Sequence, residues 1–165
     1  MLTALLAKLK VEPREYQKRI VEKTVAMFSG EHKNRAGELE PPAQSVMIES
    51  PTGSGKTVMG LLAAKCLAER FGLSVGWVAM RRNLLAQAEE ENRRKGFNLD
   101  LSLISMFDKE PPRCDLLIVD EAQHDGARSM SDLHSAVRPK MVLGLSATPY
   151  RSDRIKLCFD KVVAD

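Results

Sequence analysis

Residues 50–57 read Ser50-Pro51-Thr52-Gly53-Ser54-Gly55-Lys56-Thr57. This stretch follows the apolar run 46–48 and precedes a segment with helical periodicity, so it joins a predicted strand to a predicted helix. Glycines in such a turn let successive backbone N–H groups point at phosphate oxygens, and the helix adds the positive end of its dipole. Lys56 is expected to reach the β- and γ-phosphates of a nucleotide, and the Thr57 hydroxyl is expected to bind Mg²⁺. The strict pattern of this loop begins with glycine, where this chain has Ser50.

After this loop, apolar runs that suit strands alternate with helical segments. Strands are predicted over 46–48, 74–80, 99–107, 116–119 and 141–145, and helices over 57–70, 83–95 and 128–137. The run 116–119 is wholly apolar, which is typical of a strand covered on both faces. The alternation predicts a three-layer α/β domain around a largely parallel sheet of at least five strands. Two helices, over 2–10 and 13–28, and a charged surface loop over 30–44 are predicted ahead of it.

Polar groups follow the predicted strands, and ligands of parallel sheets bind at the carboxyl ends of strands. The groups that follow three of the strands are Arg81-Arg82-Asn83, Asp120-Glu121-Ala122-Gln123-His124 and Ser146-Ala147-Thr148-Pro149. Asp120 can hold Mg²⁺ beside the phosphate loop, and Glu121 can accept a proton from an attacking water. The alternative for this acidic pair is a helix N-terminus, whose dipole also favours carboxylates.

These motifs resemble those of superfamily 2 helicases and translocases, the DEAD/DEAH-box relatives, over nearly the whole chain. Residues 50–57 resemble motif I, 120–124 motif II in a "DEAQ" spelling, 146–148 motif III, 14–17 the adenine-reading Q-type motif and 79–84 motif Ia. The continuation over 147–153 is most similar to the branch that holds DNA repair helicases and the motor subunits of restriction enzymes. The resemblance implies that residues 1–165 form a RecA-like, ATP-binding first domain that uses ATP and Mg²⁺ to act on nucleic acid.

The resemblance also implies roles for individual residues. Gln17 would read the adenine edge, supported by Arg14 and Tyr16, because a Gln amide offers both a donor and an acceptor. The alternative is that 14–28 is simply an amphipathic helix. The nucleotide would be held by the loop residues Pro51, Thr52, Gly53, Ser54, Gly55, Lys56 and Thr57.

The same resemblance assigns the catalytic and coupling groups. The implied catalytic residues are Lys56, Glu121, Gln123, Ser146 and Thr148. The last three of these would couple the state of the nucleotide to the nucleic-acid groove. Whether His124 shares that role or only packs is left open, because the family's histidine stands where this chain has Gln123.

Nucleic acid is the expected partner, with DNA favoured over RNA. Arg81 and Arg82 would contact the phosphodiester backbone, since guanidinium groups suit bidentate phosphate contacts. The alternative is an ordinary solvated helix, which the charged run over 89–95 also suggests. Aromatic residues make up only 5% of the chain, so the sequence predicts recognition through the backbone rather than through base stacking.

Motors of this family hold ATP between two similar domains, and the second domain supplies an arginine finger. This sequence carries one such domain, and residues 155–163 resemble the segment that leads toward the second, which is therefore an expected partner. Two alternatives stay open. One is a different phosphate-loop enzyme, such as a small-molecule kinase or a GTPase, although neither a lid nor a guanine-reading Asn/Thr-Lys-x-Asp is evident. The other is a non-catalytic module that binds ATP and nucleic acid.

Composition limits the class of protein without selecting a substrate. Hydrophobic residues make up 44% and charged residues 28%, which indicates a globular chain. The net charge of +3 permits a nucleic-acid partner but does not require one. Cys66, Cys114 and Cys158 are far apart, so a metal cluster or disulfide framework is not expected. No run approaches the ~20 apolar residues of a membrane span, and the N-terminus is a poor signal peptide, so a cytoplasmic protein without a membrane partner is expected.

Overall fold

The computed structural model describes residues 2–51, 53–122, 127–148 and 159–164, without the side chains of 127–131. The helices are α1 (Leu2–Leu6), α2 (Glu15–Ser29), α3 (Lys56–Phe71), α4 (Arg82–Arg94) and α5 (Ala127–Val137). The strands are β1 (Ser45–Glu49), β2 (Val75–Ala79), β3 (Leu101–Ser105), β4 (Leu116–Val119), β5 (Met141–Ser146) and β6 (Lys161–Val163). Each strand and helix predicted from the alternating pattern is found, with small differences in its bounds.

The described strands form one sheet of six, in the order β3-β2-β4-β5-β1-β6. Every neighbouring pair among them runs parallel. Strand β4 lies inside this order and all of its residues are buried, as its wholly apolar sequence predicts. The predicted parallel α/β architecture is therefore confirmed, and the carboxyl ends of all these strands meet at one edge of the sheet.

Buried side chains divide into two clusters because successive residues of a strand point to opposite faces. Trp77, Leu116 and Ile118 pack in the cluster that also holds the apolar faces of α2 and α3. On the other face, Val119 packs with Leu133 of α5 in the second cluster. The domain thus has the predicted three layers, with helices on both sides of the sheet.

One local expectation is corrected by a tertiary contact, and one short strand was not predicted. The helix predicted over 2–10 ends at Leu6, since the chain then turns so that the Lys10 N–H donates to the Lys95 carbonyl at 2.9 Å. Within residues 155–163, which resemble the segment leading toward a second domain, strand β6 pairs with β1, where Met47 is opposite Val162. A three-residue strand at a sheet edge is too short to show a periodicity in the sequence.

Candidate functional site

The phosphate loop lies between β1 and the first residue of α3, Lys56. Gly53 and Gly55 both have φ of 82°, a left-handed conformation that is unfavourable for residues with a side chain beyond Cα. The Ser54 N–H donates to the Pro51 carbonyl at 3.1 Å, which closes the turn. The glycines therefore occupy two positions of the loop where the backbone is left-handed. Thr52 lies outside the described residues.

The amino group of Lys56 folds back over this loop. Its Nζ donates to the carbonyl of Ser50 at 3.2 Å and to the carbonyl of Pro51 at 3.3 Å. Both acceptors are neutral, and charge-assisted hydrogen bonds to phosphate oxygens are roughly twice as strong. A phosphate can thus replace these carbonyls as the partner of Lys56 without moving the helix that carries it.

The N-terminus of α2 is attached to the same loop. The Tyr16 hydroxyl donates to the Ser54 carbonyl at 2.6 Å, and Nε2 of Gln17 donates to that carbonyl at 2.8 Å. The Gln17 Oε1 atom accepts the Arg14 backbone N–H at 2.8 Å, which fixes the orientation of the amide. A Cβ atom at Gly55 would collide with Nε2 of Gln17. Tyr16 and Gln17 therefore bind the phosphate loop, and the Arg14 backbone orients Gln17, an arrangement that the sequence did not predict.

Asp120 follows β4 and is 6% exposed. Its backbone N–H donates to the Val78 carbonyl at 2.9 Å, and its Oδ2 accepts the indole N–H of Trp77 at 3.4 Å. Burial raises the pKa of Asp120 to about 6, while the Trp77 hydrogen bond and the positive charge of Lys56 favour the ionised form. The effect of Lys56 links this carboxylate electrostatically to the phosphate loop. A cation placed there would also favour ionisation, so the carboxylate suits a metal ligand.

Glu121 continues from Asp120 with φ of 53°, in the left-handed region that few residues other than glycine adopt. Such a conformation costs on the order of 1–3 kcal/mol and recurs at functional sites. The chain thus turns sharply at the end of β4 and keeps Glu121 at the edge of the sheet. The predicted coupling residue Gln123, and His124 beside it, lie outside the described residues.

Ser146 closes β5 and is fully buried. Its hydroxyl donates to the Thr148 carbonyl at 2.6 Å, and the Thr148 N–H reaches the same oxygen at 3.2 Å. The Ser50 N–H donates to the Ser146 carbonyl at 2.9 Å. The motif predicted to couple nucleotide and nucleic acid is therefore joined to the phosphate loop through the backbone.

Arg81 and Arg82 are exposed where β2 passes into α4. Two exposed apolar side chains lie at this end of the sheet, Met80 at 38% and Phe107 at 69%. The Met106 N–H donates to the Ala79 carbonyl at 3.1 Å, so the pairing of β2 and β3 continues up to these residues. Phe107 was not singled out from the sequence, because a single Phe within a loop carries no local signal.

Strand order sets the order of these groups along the edge of the sheet. The phosphate loop follows β1, Ser146 ends the neighbouring β5, Asp120 follows β4, and Arg81 follows β2. The structure therefore brings Lys56, Asp120 and Ser146 to the ends of three adjacent strands, β1, β4 and β5. The predicted nucleic-acid contacts lie farther along the same edge.

Three further features of the described ranges concern metal ligands, thiols and helices long enough to span a bilayer. No group of three or more His, Cys, Asp or Glu suited to a metal ion occurs in the described ranges. Magnesium does not need one, because it is held by one or two carboxylates together with substrate phosphates and waters. Cys66 and Cys114 are buried free thiols, and burial raises the pKa of each to about 11. Among the described helices, none has the length and apolar character needed to span a bilayer.

Comparison with known proteins identifies the family. A family model described as "Type III restriction enzyme, res subunit" matches residues 10–106, which is more than half of the chain. A search of curated proteins gives no match. The match includes the phosphate loop and the Arg81-Arg82 segment.

Solved structures with the same fold are helicases and related ATPases. The UvsW helicase of bacteriophage T4 superposes with a TM-score of 0.71 at 14% identity, over 99% of this chain and 38% of that one. The Hef helicase domain of Pyrococcus furiosus gives 0.66 at 18% identity, over 93% of this chain and 38% of that one. The SWI2/SNF2 ATPase core of Sulfolobus solfataricus, in complex with dsDNA, gives 0.63 at 16% identity, over 86% and 33%.

The chain spans between 20% and 66% of the length of five solved structures that it matches. Its fold agrees with theirs over nearly all of its own length, and the family match covers the phosphate loop and the strands β1, β2 and β3. The chain belongs to the family of the type III restriction enzyme res subunit, and it has the fold of the first RecA-like domain of a superfamily 2 helicase.

Proposed function

We propose that this chain binds ATP with Mg²⁺ and, within a larger protein, couples ATP hydrolysis to movement on DNA. The observation that carries the proposal is the placement at one edge of the sheet of Lys56, which begins α3 after the phosphate loop, and of Asp120, which directly follows β4. A cation and a buried carboxylate beside a glycine loop are the pair that a metal-bound triphosphate requires.

Nucleotide binding would use the groups that already shape the loop. Lys56 would exchange its two carbonyl partners for phosphate oxygens, and the start of α3 would add its positive end. Gln17 is 8% exposed and its amide orientation is fixed by the Arg14 N–H and the Ser54 carbonyl. A fixed amide with remaining donor and acceptor capacity can distinguish adenine from guanine.

Thr57 and Asp120 would hold Mg²⁺, since both offer oxygen ligands. Thr57 lies in the first turn of α3, after β1, and Asp120 follows β4; these two strands flank β5. When bound, the metal ion supplies charge neutralisation to the phosphates. Glu121 would orient water and accept its proton, which its place directly after Asp120 at the edge of the sheet supports.

Movement on DNA is supported by two exposed arginines on the same edge, Arg81 and Arg82, and by two solved relatives. One relative is in complex with dsDNA, and another, the restriction-modification enzyme LlaGI, is in complex with a DNA substrate mimic. A second RecA-like domain is part of the proposal, because a cation that faces the transferred phosphate is worth about 10³–10⁵ in rate in related enzymes.

The experiment that tests the nucleotide site measures the affinity of a fluorescent ATP analogue for Lys56→Ala. We expect most of the affinity to be lost while the melting temperature stays unchanged. Lys65→Ala is the matched control, because Lys65 lies on the same helix and pairs at 3.5 Å with Glu69, away from the loop. Equal affinity in the two variants would reject the assignment of Lys56.

A further inference from the structure

Trp77 is the largest fully buried side chain of the described core, and it lies between the two elements that carry the proposed metal ligands. Its indole N–H donates to Oδ2 of Asp120 at 3.4 Å. On its other side, a Cβ atom at Gly60 of α3 would come within 3.2 Å of Cη2 of Trp77. One ring therefore touches both the carboxylate after β4 and the helix that begins at the phosphate loop.

Consecutive residues of β2 hold Asp120 at two points. Trp77 binds its side chain, and the Val78 carbonyl accepts its backbone N–H at 2.9 Å. The pairing of β2 with β4 sets this arrangement, because Trp77 is opposite Ile118 and Val78 is opposite Val119. The rotation of the Asp120 side chain is thus limited by a group on a neighbouring strand.

We propose that Trp77 is a positioning residue for the metal site, which fixes the Asp120 carboxylate relative to α3 by its indole N–H and its ring. A carboxylate has about four acceptor positions, so the indole occupies one and leaves others for a cation or its waters. Outer partners of this kind orient a metal ligand, and their removal typically costs about 10–100-fold in metal affinity or activity. The inference rests on the proposed nucleotide site and goes beyond it by naming a residue outside every motif of the family.

The test compares Mg²⁺-dependent nucleotide binding in the natural chain and in two replacements of Trp77. Trp77→Phe removes the donor and part of the ring, whereas a benzothienylalanine at this position keeps the ring and replaces only the N–H by sulfur. A non-hydrolysable fluorescent ATP analogue is titrated into each protein in Mg²⁺ and, separately, in EDTA. Phe97→Leu is the matched control, since Phe97 is also fully buried in the same cluster.

We expect the affinity in Mg²⁺ to fall about tenfold in both Trp77 replacements, the low end of the range for such partners. Affinity in EDTA should stay unchanged, and Phe97→Leu should alter neither value. If Mg²⁺ increases the nucleotide affinity of the sulfur analogue as much as it increases that of the natural chain, the inference is overturned. That outcome would leave the proposed function intact, whereas a natural chain that binds no nucleotide in Mg²⁺ would overturn both.

A spectroscopic measurement gives a second, independent readout. The chain contains one tryptophan, so its tryptophan emission reports on the surroundings of Trp77 alone. Nucleotide with Mg²⁺ should shift the emission of Trp77, nucleotide in EDTA should not, and Asp120→Asn should abolish the shift. Emission that responds identically with and without Mg²⁺ would show that Trp77 is a core residue without a positioning role, even if Trp77→Phe fails to fold.

Discussion

The side-chain amide of Gln17 donates a 2.8 Å hydrogen bond to the main-chain carbonyl of Ser54, 37 residues later in the sequence. The Tyr16 hydroxyl donates to the same carbonyl at 2.6 Å. Two side chains from the first turn of α2 therefore bind one carbonyl of the phosphate loop. A substitution in either element should change the conformation of the other. This makes Gln17 a structural residue of the loop as well as the proposed reader of adenine.

Gly55→Ala should destabilise the chain more than Gly53→Ala. Both glycines have φ of 82°, so each alanine meets the same backbone strain of about 1–2 kcal/mol. At Gly55 the new Cβ would collide with Gln17, whereas at Gly53 no atom of the described residues beyond its chain neighbours lies within 4 Å of that position. We expect an additional loss of about 1–3 kcal/mol for the displaced Gln17 hydrogen bonds, measured by urea unfolding. Equal losses would mean that the Gln17–Ser54 contact contributes nothing.

The nucleotide site should prefer ATP to GTP, and Gln17→Ala should narrow the difference. A site with a polar group of fixed orientation rejects a base that cannot pair with it. Competition of ATP and GTP against a fluorescent analogue measures the preference. Because Gln17 also holds the loop, the affinity of Gln17→Ala for both nucleotides should fall as well. Equal competition by ATP and GTP in the natural chain would contradict the assignment.

Replacing Arg81 and Arg82 with Ala should lower the salt dependence of binding to a single-stranded oligonucleotide. Each lost phosphate contact reduces the slope of log K against log[salt] by roughly 0.7 on single strands, so the double variant should lose about 0.7–1.4. Arg93→Ala/Arg94→Ala is the control, since it removes the same charge from the other end of α4, where Arg94 pairs with Glu91 at 2.9 Å. If the two double variants show the same slope, Arg81 and Arg82 do not contact the backbone.

Asp120→Asn should stabilise the metal-free chain at neutral pH. Burial raises the pKa of Asp120 from 3.8 to about 6, so the folded state holds this proton more tightly than the unfolded state. The stabilising effect of the proton is complete below pH 3.8 and is lost as pH rises through about 6. Each pKa unit of difference between the folded and unfolded states corresponds to about 1.4 kcal/mol. At pH 7.5 the neutral amide should therefore raise the free energy of unfolding by about 3 kcal/mol.

The gain from Asp120→Asn should shrink toward zero at pH 4, and urea unfolding in EDTA at the two pH values measures it. Asp115→Asn is a useful comparison, because hydrogen bonds from Ser74 lower the pKa of Asp115 and its replacement should destabilise the chain at pH 7.5. A pH-independent effect of Asp120→Asn would indicate that the carboxylate is not desolvated in solution.

The chain alone should hydrolyse ATP very slowly, and single-stranded DNA should barely stimulate it. Glu121 can orient water, but the charge that develops on the transferred phosphoryl group needs an opposing cation, which the proposed second domain would supply. Steady-state phosphate release, with and without DNA and with Glu121→Gln, measures this. Turnover near 1 s⁻¹ or above, within the range of complete enzymes, would reject the need for a second domain if Glu121→Gln abolished it.

The sequence by itself determined the parallel α/β architecture and the chemistry at the edge of the sheet. Apolar runs of strand length alternate with helical segments, and the groups that must bind phosphate and metal follow those runs directly. Both signals are local, because a strand ends where its apolar run ends and a glycine loop needs its left-handed residues in place. This is why Lys56, Asp120 and Ser146 could be predicted to lie at the same edge of the sheet.

Tertiary structure alone decided which distant groups touch. The hydrogen bond from Trp77 to Asp120 spans 43 residues, and β6 joins β1 from more than a hundred residues away. Such contacts depend on the order of strands in the sheet and on the side chains that fill one face, and neither leaves a periodic signal in the sequence. In the sequence, Trp77 is indistinguishable from the other apolar residues of its strand. The hydrogen bond to Asp120 is visible only in the structure, where the neighbouring strand places that carboxylate beside the indole.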